Sequence, residues 1–387
     1  MASAKPVLTG YGVVTTHGSG VDAAWDALSR GAVAGNTVRL GAGVVDCFAA
    51  TIPPDYRPHS SVPRNLAQVL DAGSLIAIDA AIQALEAAGL GAGAGDARRF
   101  AVADGFAYRA PGQGTLFAPY GQAVARALGV RGPVLEVGGA EASGAAAIAA
   151  GARLIEAGEA DVVLAGAAQA LQQPVVDHLV ASGLASGSGA RPFDESHAGC
   201  VPAEGAAYVV LESEDHARSR GLAPWAHLQG VAQLFDPTAE PLATSEAAEA
   251  GRSVQAALAS AGFLQGQVDL IVSCADGRPA VDFSDGLGIR RTFGRHAHYA
   301  PVTTVAGALG QALAASAPLA LAMAAEAMRR QQVFPIPGLQ RPEQDLELPY
   351  ARSLEAQRLE GVVVTCLGLG GTNVSMVLCS AKAAARA

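Results

Sequence analysis

The stretch "VLEVGGAEASGAAAIAAGARLIEAGEADVVLAG", from Val134 to Gly166, reads as a strand, a sharp glycine turn, a helix and a second strand. An enzyme of this build carries its nucleophile on the first turn of that helix. Unpaired backbone N–H groups and the helix dipole favour a negative charge there, and a thiol at that place would be activated. The residue at this turn is Glu141. A carboxylate is merely stabilised as an anion and attacks poorly. Glu141 therefore reads first as a buried, hydrogen-bonded cap. A place in a tunnel or against a partner, and a direct chemical role, are the alternatives.

Working outward, the chain repeats itself. "ALEAAGLGAGAGDARRFAVADG" (Ala84–Gly105) is answered by "ALASAGFLQGQVDLIVSCADG" (Ala257–Gly277). Each holds a helix ending at Ala-Gly, a short linker, a buried strand and an Asp-Gly turn. This order implies an α/β fold of two duplicated halves, residues 1–220 and 221–387, meeting near "ESEDHARSRG" (Glu212–Gly221). Helices are expected over Asp22–Arg30 and Ser74–Ala88. The C-terminal "GVVVTCLGLGGTNVSMVLCS" reads as two strands joined by a turn at Gly368–Gly371.

Composition excludes several classes. Half of the residues are apolar but only 5% are aromatic, which favours a core of small side chains at close backbone distance. A net charge of −9, with no element concentrating Lys and Arg, argues against nucleic acid. The five cysteines (Cys47, Cys200, Cys274, Cys366, Cys379) form no close pair, and the N-terminus shows no secretion signal. A reducing cytoplasm, without disulfides or structural zinc, is expected. The uncharged run Val305–Ala325 is long enough to suggest a membrane span, but its alanines, Gln311, Ser316 and Pro318 make it an enclosed core helix.

His296 and His298 have the spacing of a metal pair but no companion ligand, and read as a surface loop. Arg191, Asp194 and Glu204 are expected to form a buried ion network. "GLGGTN" (Gly368–Asn373) lacks the Lys-Ser/Thr of a phosphate loop and reads as a tight turn. No motif requires a metal or cofactor.

Taken together, "LTGYGVVTTHGSGVDAAWDAL", "GEADVVLAG", "RPFD", "EGAAYVVLE" and "GLGGTN" resemble, in order and over Pro6 to about Val377, blocks of the β-ketoacyl synthase family. The resemblance implies a thiolase-like fold, two α/β halves in a layered αβαβα arrangement. It also shows what is missing. The family's nucleophilic cysteine falls on Glu141, its first histidine on Cys274, its lysine on Thr303, its second histidine on Ala308, and its gating aromatic on Leu369. Asp282 and Glu204 match supporting positions. Losing one donor that stabilises the reacting oxyanion typically costs ~10²–10³ in rate. No catalytic residue is therefore expected.

That pattern is similar to the chain length factors of type II polyketide synthases, inactive partners of an active ketosynthase. "GGAEASG", "LFDPTAEP" and "ADGRPAVD" also look like this branch. The resemblance implies a heterodimer with the active ketosynthase, supplied by acyl carrier protein, with Val137, Gly138 and Gly139 at the interface. The family's long helical insertion is shortened here to Phe106–Gly129. Within it Phe106, Tyr108, Gln113, Leu116 and Phe117 are the candidates for lining a chain-length tunnel. The alternatives are a malonyl-carrier-protein decarboxylase using Glu141 and a scaffold homodimer.

Overall fold

A computed structural model describes residues 5–40, 45–62, 68, 70–91, 96–107, 119–238 and 248–386. The first repeat comprises β1 (Pro6–Thr15), α1 (Ala72–Ala87), β2 (Phe100–Phe106), α2 (Tyr120–Leu128), β3 (Val134–Gly138), α3 (Ser143–Glu156), β4 (Val162–Gln169), α4 (Gln173–Ala181) and β5 (Gly205–Ser213). After a short helix at Glu214–Ser219, the second follows with β6 (Ala226–Phe235), α5 (Ala248–Ala261), β7 (Leu270–Val272), α6 (Pro279–Phe293), β8 (Val302–Thr303), α7 (Ser316–Arg330), β9 (Gly361–Leu367) and β10 (Thr372–Cys379).

The strand order is β8-β7-β9-β10-β6-β1-β5-β4-β2-β3, which reads the same from either end once β6–β10 are matched to β1–β5. In each repeat the outer three strands are parallel and the inner ones antiparallel. The repeats join where β1 meets β6, at Val7–His227 and Leu8–Ala226. Alternation along the strands sorts side chains into layers. On β4, Val163 and Ala165 face the central core with α3 and α7, while Val162 and Leu164 face α1 and α2. On the far side α5 and α6 cover β9 and β10.

Small residues let these layers approach. A Cβ built on Gly10 of β1 would lie 2.3 Å from the Ala84 carbonyl oxygen of α1. One built on Gly230 of β6 would lie 2.3 Å from the Ala257 oxygen of α5. The duplicated Ala-rich helices therefore sit against glycines on matching strands. Both helices stop at a left-handed glycine, Gly89 (φ 65°) and Gly262 (φ 69°).

One of the two Asp-Gly pairs differs from expectation. Gly277 does turn, at φ 95°, but Asp104 and Gly105 continue β2. Gly105 is there because α3 presses on it: a Cβ would meet the Gly144 nitrogen at 2.4 Å. The run Val305–Ala325 breaks into a short helix at Ala306–Leu309 and most of α7, nearly all of it buried. Among the described residues no helix is long and apolar enough to cross a membrane.

Candidate functional site

Strand β3 ends at Gly138, and the chain bends through Gly139 and Ala140 into α3. Ala140 adopts φ 51°, a conformation that L residues other than Asn, Asp and His rarely take, so this elbow is strained. The bend carries Glu141 inward, where it is 3% exposed. The carboxylate caps no helix, which corrects the first reading of Glu141: the N-cap of α3 has no side-chain bond. Its partners come from the second repeat. Arg278 Nη1 donates to Oε1 at 3.2 Å, and the Leu369 N–H, in the turn between β9 and β10, donates to Oε2 at 3.0 Å.

Arg278 is itself only 2% exposed. Asp276 grips it with both oxygens, Oδ1 accepting from Nε at 3.0 Å and Oδ2 from Nη2 at 2.7 Å, a fork geometry that a carboxylate matches well. Gln311 Nε2 donates to Asp276 at 2.6 Å, and the Ser316 hydroxyl donates to Gln311 Oε1. Burial alone would lower the Arg278 pKa. Asp276 and Glu141, among the groups around it, outweigh that and hold it well above its ordinary value. The loop carrying Asp276 and Arg278 is anchored by Asp282 at the start of α6. That side chain accepts the N–H groups of Phe193, Asp276 and Gly277 at 2.8, 2.9 and 3.1 Å.

The turn where the resemblance implies a nucleophile holds a buried, hydrogen-bonded ion cluster of two carboxylates and one guanidinium. Beside it lies a cavity of about 30 Å³, lined in part by Glu141, Cys274, Thr304, Gln311 and Cys366. That is room for water, not for an acyl thioester. Burial raises the Cys274 and Cys366 thiols well above their usual range, so neither is a thiolate. Outside the elbow a larger pocket of about 300 Å³ is bounded by Ala140, Val175, His178, Leu179, Leu313 and Leu369, a mostly apolar wall.

The structure brings Glu141, Cys274 and Leu369 to this centre, but not Thr303 or Ala308. The Thr303 hydroxyl turns away to donate to the Phe334 carbonyl at 2.8 Å. Ala308 is fully buried, with its carbonyl 2.9 Å from His17 Nε2. Phe106 ends β2 and is partly exposed, its carbonyl accepting the Ser143 hydroxyl at 2.9 Å. Tyr108, Gln113, Leu116 and Phe117 lie outside the described residues. Val137 and Gly138 are on β3, the edge strand of the first repeat, with Gly139 just beyond.

Two other expectations are corrected. Arg191, Asp194 and Glu204 do not form an ion network. Each has its own neutral partners instead: Arg191 donates to Ser196, Asp194 accepts the N–H groups of Gln340 and Arg341, and Glu204 accepts those of Ile52 and Leu171. His296 and His298 lie on a single-turn helix, Gly294–His298, and no metal-ligating group of three forms among the described residues. Sequence reasoning also missed Arg278, Asp276 and Gln311. The signal for Arg278 was a lone cation in "CADGRPAVD", in the same block that set Cys274 where a histidine was expected.

Comparison with known proteins agrees with this architecture. The chain matches "Beta-ketoacyl synthase, N-terminal domain" over residues 57–217 and "Beta-ketoacyl synthase, C-terminal domain" over residues 225–340. It is 30% identical to "Nodulation protein E" of Rhizobium meliloti, covering 95% of this chain and 97% of that one. It is 28% identical to the "Tetracenomycin polyketide synthase ketoacyl synthase alpha subunit" of Streptomyces glaucescens, covering 98% of each. Among solved structures, "The ishigamide ketosynthase/chain length factor" superposes with a TM-score of 0.88 at 22% identity, over 98% of this chain and all of that one. The fold is thus the thiolase-like α/β fold of ketosynthases, with N- and C-terminal halves. The chain belongs to the β-ketoacyl synthase family.

Proposed function

We propose that this chain is a non-catalytic chain length factor of a type II polyketide synthase, acting in the cytoplasm. It pairs with an active ketosynthase whose cysteine holds the growing chain. That partner condenses the chain with malonyl units brought by acyl carrier protein. This chain shapes the tunnel and so sets product length. The observation that carries the reading is the buried Glu141–Arg278 pair, which fills the nucleophile's place from both sides of the molecule. The relatives support the polyketide context: one is named as a polyketide synthase ketoacyl synthase subunit, and one structure is titled as a ketosynthase with its chain length factor. The edge strand β3, half-buried and apolar at Val134, Leu135 and Val137, is the surface proposed to meet the partner.

Decarboxylation at Glu141 is the weaker reading. It needs donors for an enolate oxygen, and the two nearest, Arg278 and the Leu369 N–H, are already engaged by the carboxylate itself. The test is co-expression with the ketosynthase, followed by assay of condensation and of CO₂ release from malonyl-carrier protein. Glu141→Gln should leave both rates within about twofold of the parent complex. Collapse of CO₂ release in an intact complex would favour the decarboxylase. A chain that runs as a monomer beside the ketosynthase would defeat the partnership.

A further inference from the structure

A second pair of carboxyls, one of them buried, sits at the open edge of the first repeat, apart from the elbow. Asp104, near the end of β2, is fully buried. Glu136 is its direct partner across the parallel pair on β3, and reaches solvent. Register alone would set two like charges face to face, which destabilises a strand pair. The side chains nevertheless converge. Glu136 comes within hydrogen-bonding reach of Asp104. A Cβ built on Gly121 would lie 2.6 Å from Asp104 Cβ and 2.7 Å from Glu136 Oε1. Gly121, on the first turn of α2, thus leaves room for both carboxyls, and its own N–H donates to Asp104 Oδ2 at 3.1 Å. Tyr208 on β5 donates its hydroxyl to Oδ1. Tyr120, at the start of α2, is the further titratable group that faces this cluster.

Ionised carboxylates only accept hydrogen bonds, so a bond between two of them requires a proton on one. We infer that Asp104 and Glu136 hold a single proton between them, and that this proton fastens the edge strand Val134–Gly138 to the sheet. When it leaves, a second negative charge develops opposite the first and the side-chain tie is lost. Because β3 runs directly into Gly138–Glu141, the same proton bears on the elbow.

Burial pushes the Asp104 carboxyl up, to about 7, while the hydrogen bonds from Tyr208, Glu136 and the Gly121 N–H act the other way. A folded-state value above the unfolded one means that the stabilisation is complete in acid. It is lost as the pH rises towards that folded value.

The test uses the full-length chain with Asp104→Asn and Glu136→Gln, across about pH 5.5 to 8. The wild-type melting temperature should fall by about 2–4 °C more than that of Asp104→Asn over this range. The infrared spectrum of the wild type should show a protonated-carboxyl band at about pH 6 that is gone by about pH 8. That band should shift on carbon-13 labelling of aspartate and be missing from Asp104→Asn. Melting curves of the two proteins that stay parallel within about 1 °C overturn the proposal. So does the absence of that band from the wild type at about pH 6, a result that depends on neither variant folding. Should Asp104→Asn fail to fold, Glu136→Gln replaces it. The amide introduced there can donate to ionised Asp104, so this variant should hold its stability at about pH 8 where the wild type loses it. Equal losses in the two would overturn the proposal.

Discussion

Asp104, within β2 of the first repeat, and Asp276, in the loop that follows β7 of the second, take matching places after an Ala-rich helix, and each precedes a glycine. Both are fully buried. In the second repeat Asp276 meets a guanidinium in fork geometry and a glutamine amide. In the first, Asp104 meets a tyrosine hydroxyl, a backbone N–H and another carboxyl. A duplicated scaffold therefore keeps its backbone and lets the companions of one side chain decide its charge. Beside Arg278 the carboxylate is paired with a cation and structural. Beside Glu136 a proton takes the cation's place.

Five substitutions break or sharpen this contrast. The largest effect is expected for Arg278→Met, which leaves Glu141 and Asp276 buried together without their cation. A loss of about 3–5 kcal/mol in urea unfolding is expected. A loss below about 1 kcal/mol would mean that the site relaxes around the two acids. Next come Gly10→Ala and Gly230→Ala, made separately. Each forces a methyl group into a helix carbonyl, and each should cost about 1–3 kcal/mol. Their similarity is the measurement, since it tests whether the two repeats pack alike. Glu141→Gln keeps an acceptor for the Leu369 N–H and removes one charge from beside Arg278, which remains held by Asp276. About 1 kcal/mol is expected, read as a shift in the urea midpoint. The smallest effect is that of Asp104→Asn in acid, near zero below about pH 5. The variant should gain on the wild type as the pH rises from there towards about 7, and little further above it.

Much of the fold was legible because its signals are local. The helix stops at Gly89 and Gly262, the echo of Ala84–Gly105 in Ala257–Gly277, and the tight turn at Gly368–Gly371 all depend on near neighbours in the chain. The unusual carboxylate at the elbow was legible as well, since the strand-turn-helix pattern marks its place. Its partners were not. Arg278 and Leu369 are 137 and 228 positions from Glu141, and only the pairing of the two repeats brings them together. The Asp104–Glu136 contact needed the register of β2 against β3, and an Asp-Gly pair reads locally as a turn. The close fit of α3 against Gly105 overrode that preference.

The reach of Glu141 has a consequence for how the chain assembles. One side chain ties the first repeat to two separate loops of the second, and those contacts cannot form until both repeats have collapsed against each other. Contacts of such separation pay their loop-closure entropy late. Interactions made after the rate-limiting step leave the speed of folding almost untouched and slow the reverse process instead. The buried Glu141 carboxylate thereby acts as a brake on unravelling, and the lifetime of the folded chain rests partly on the strained bend at Ala140 that delivers it.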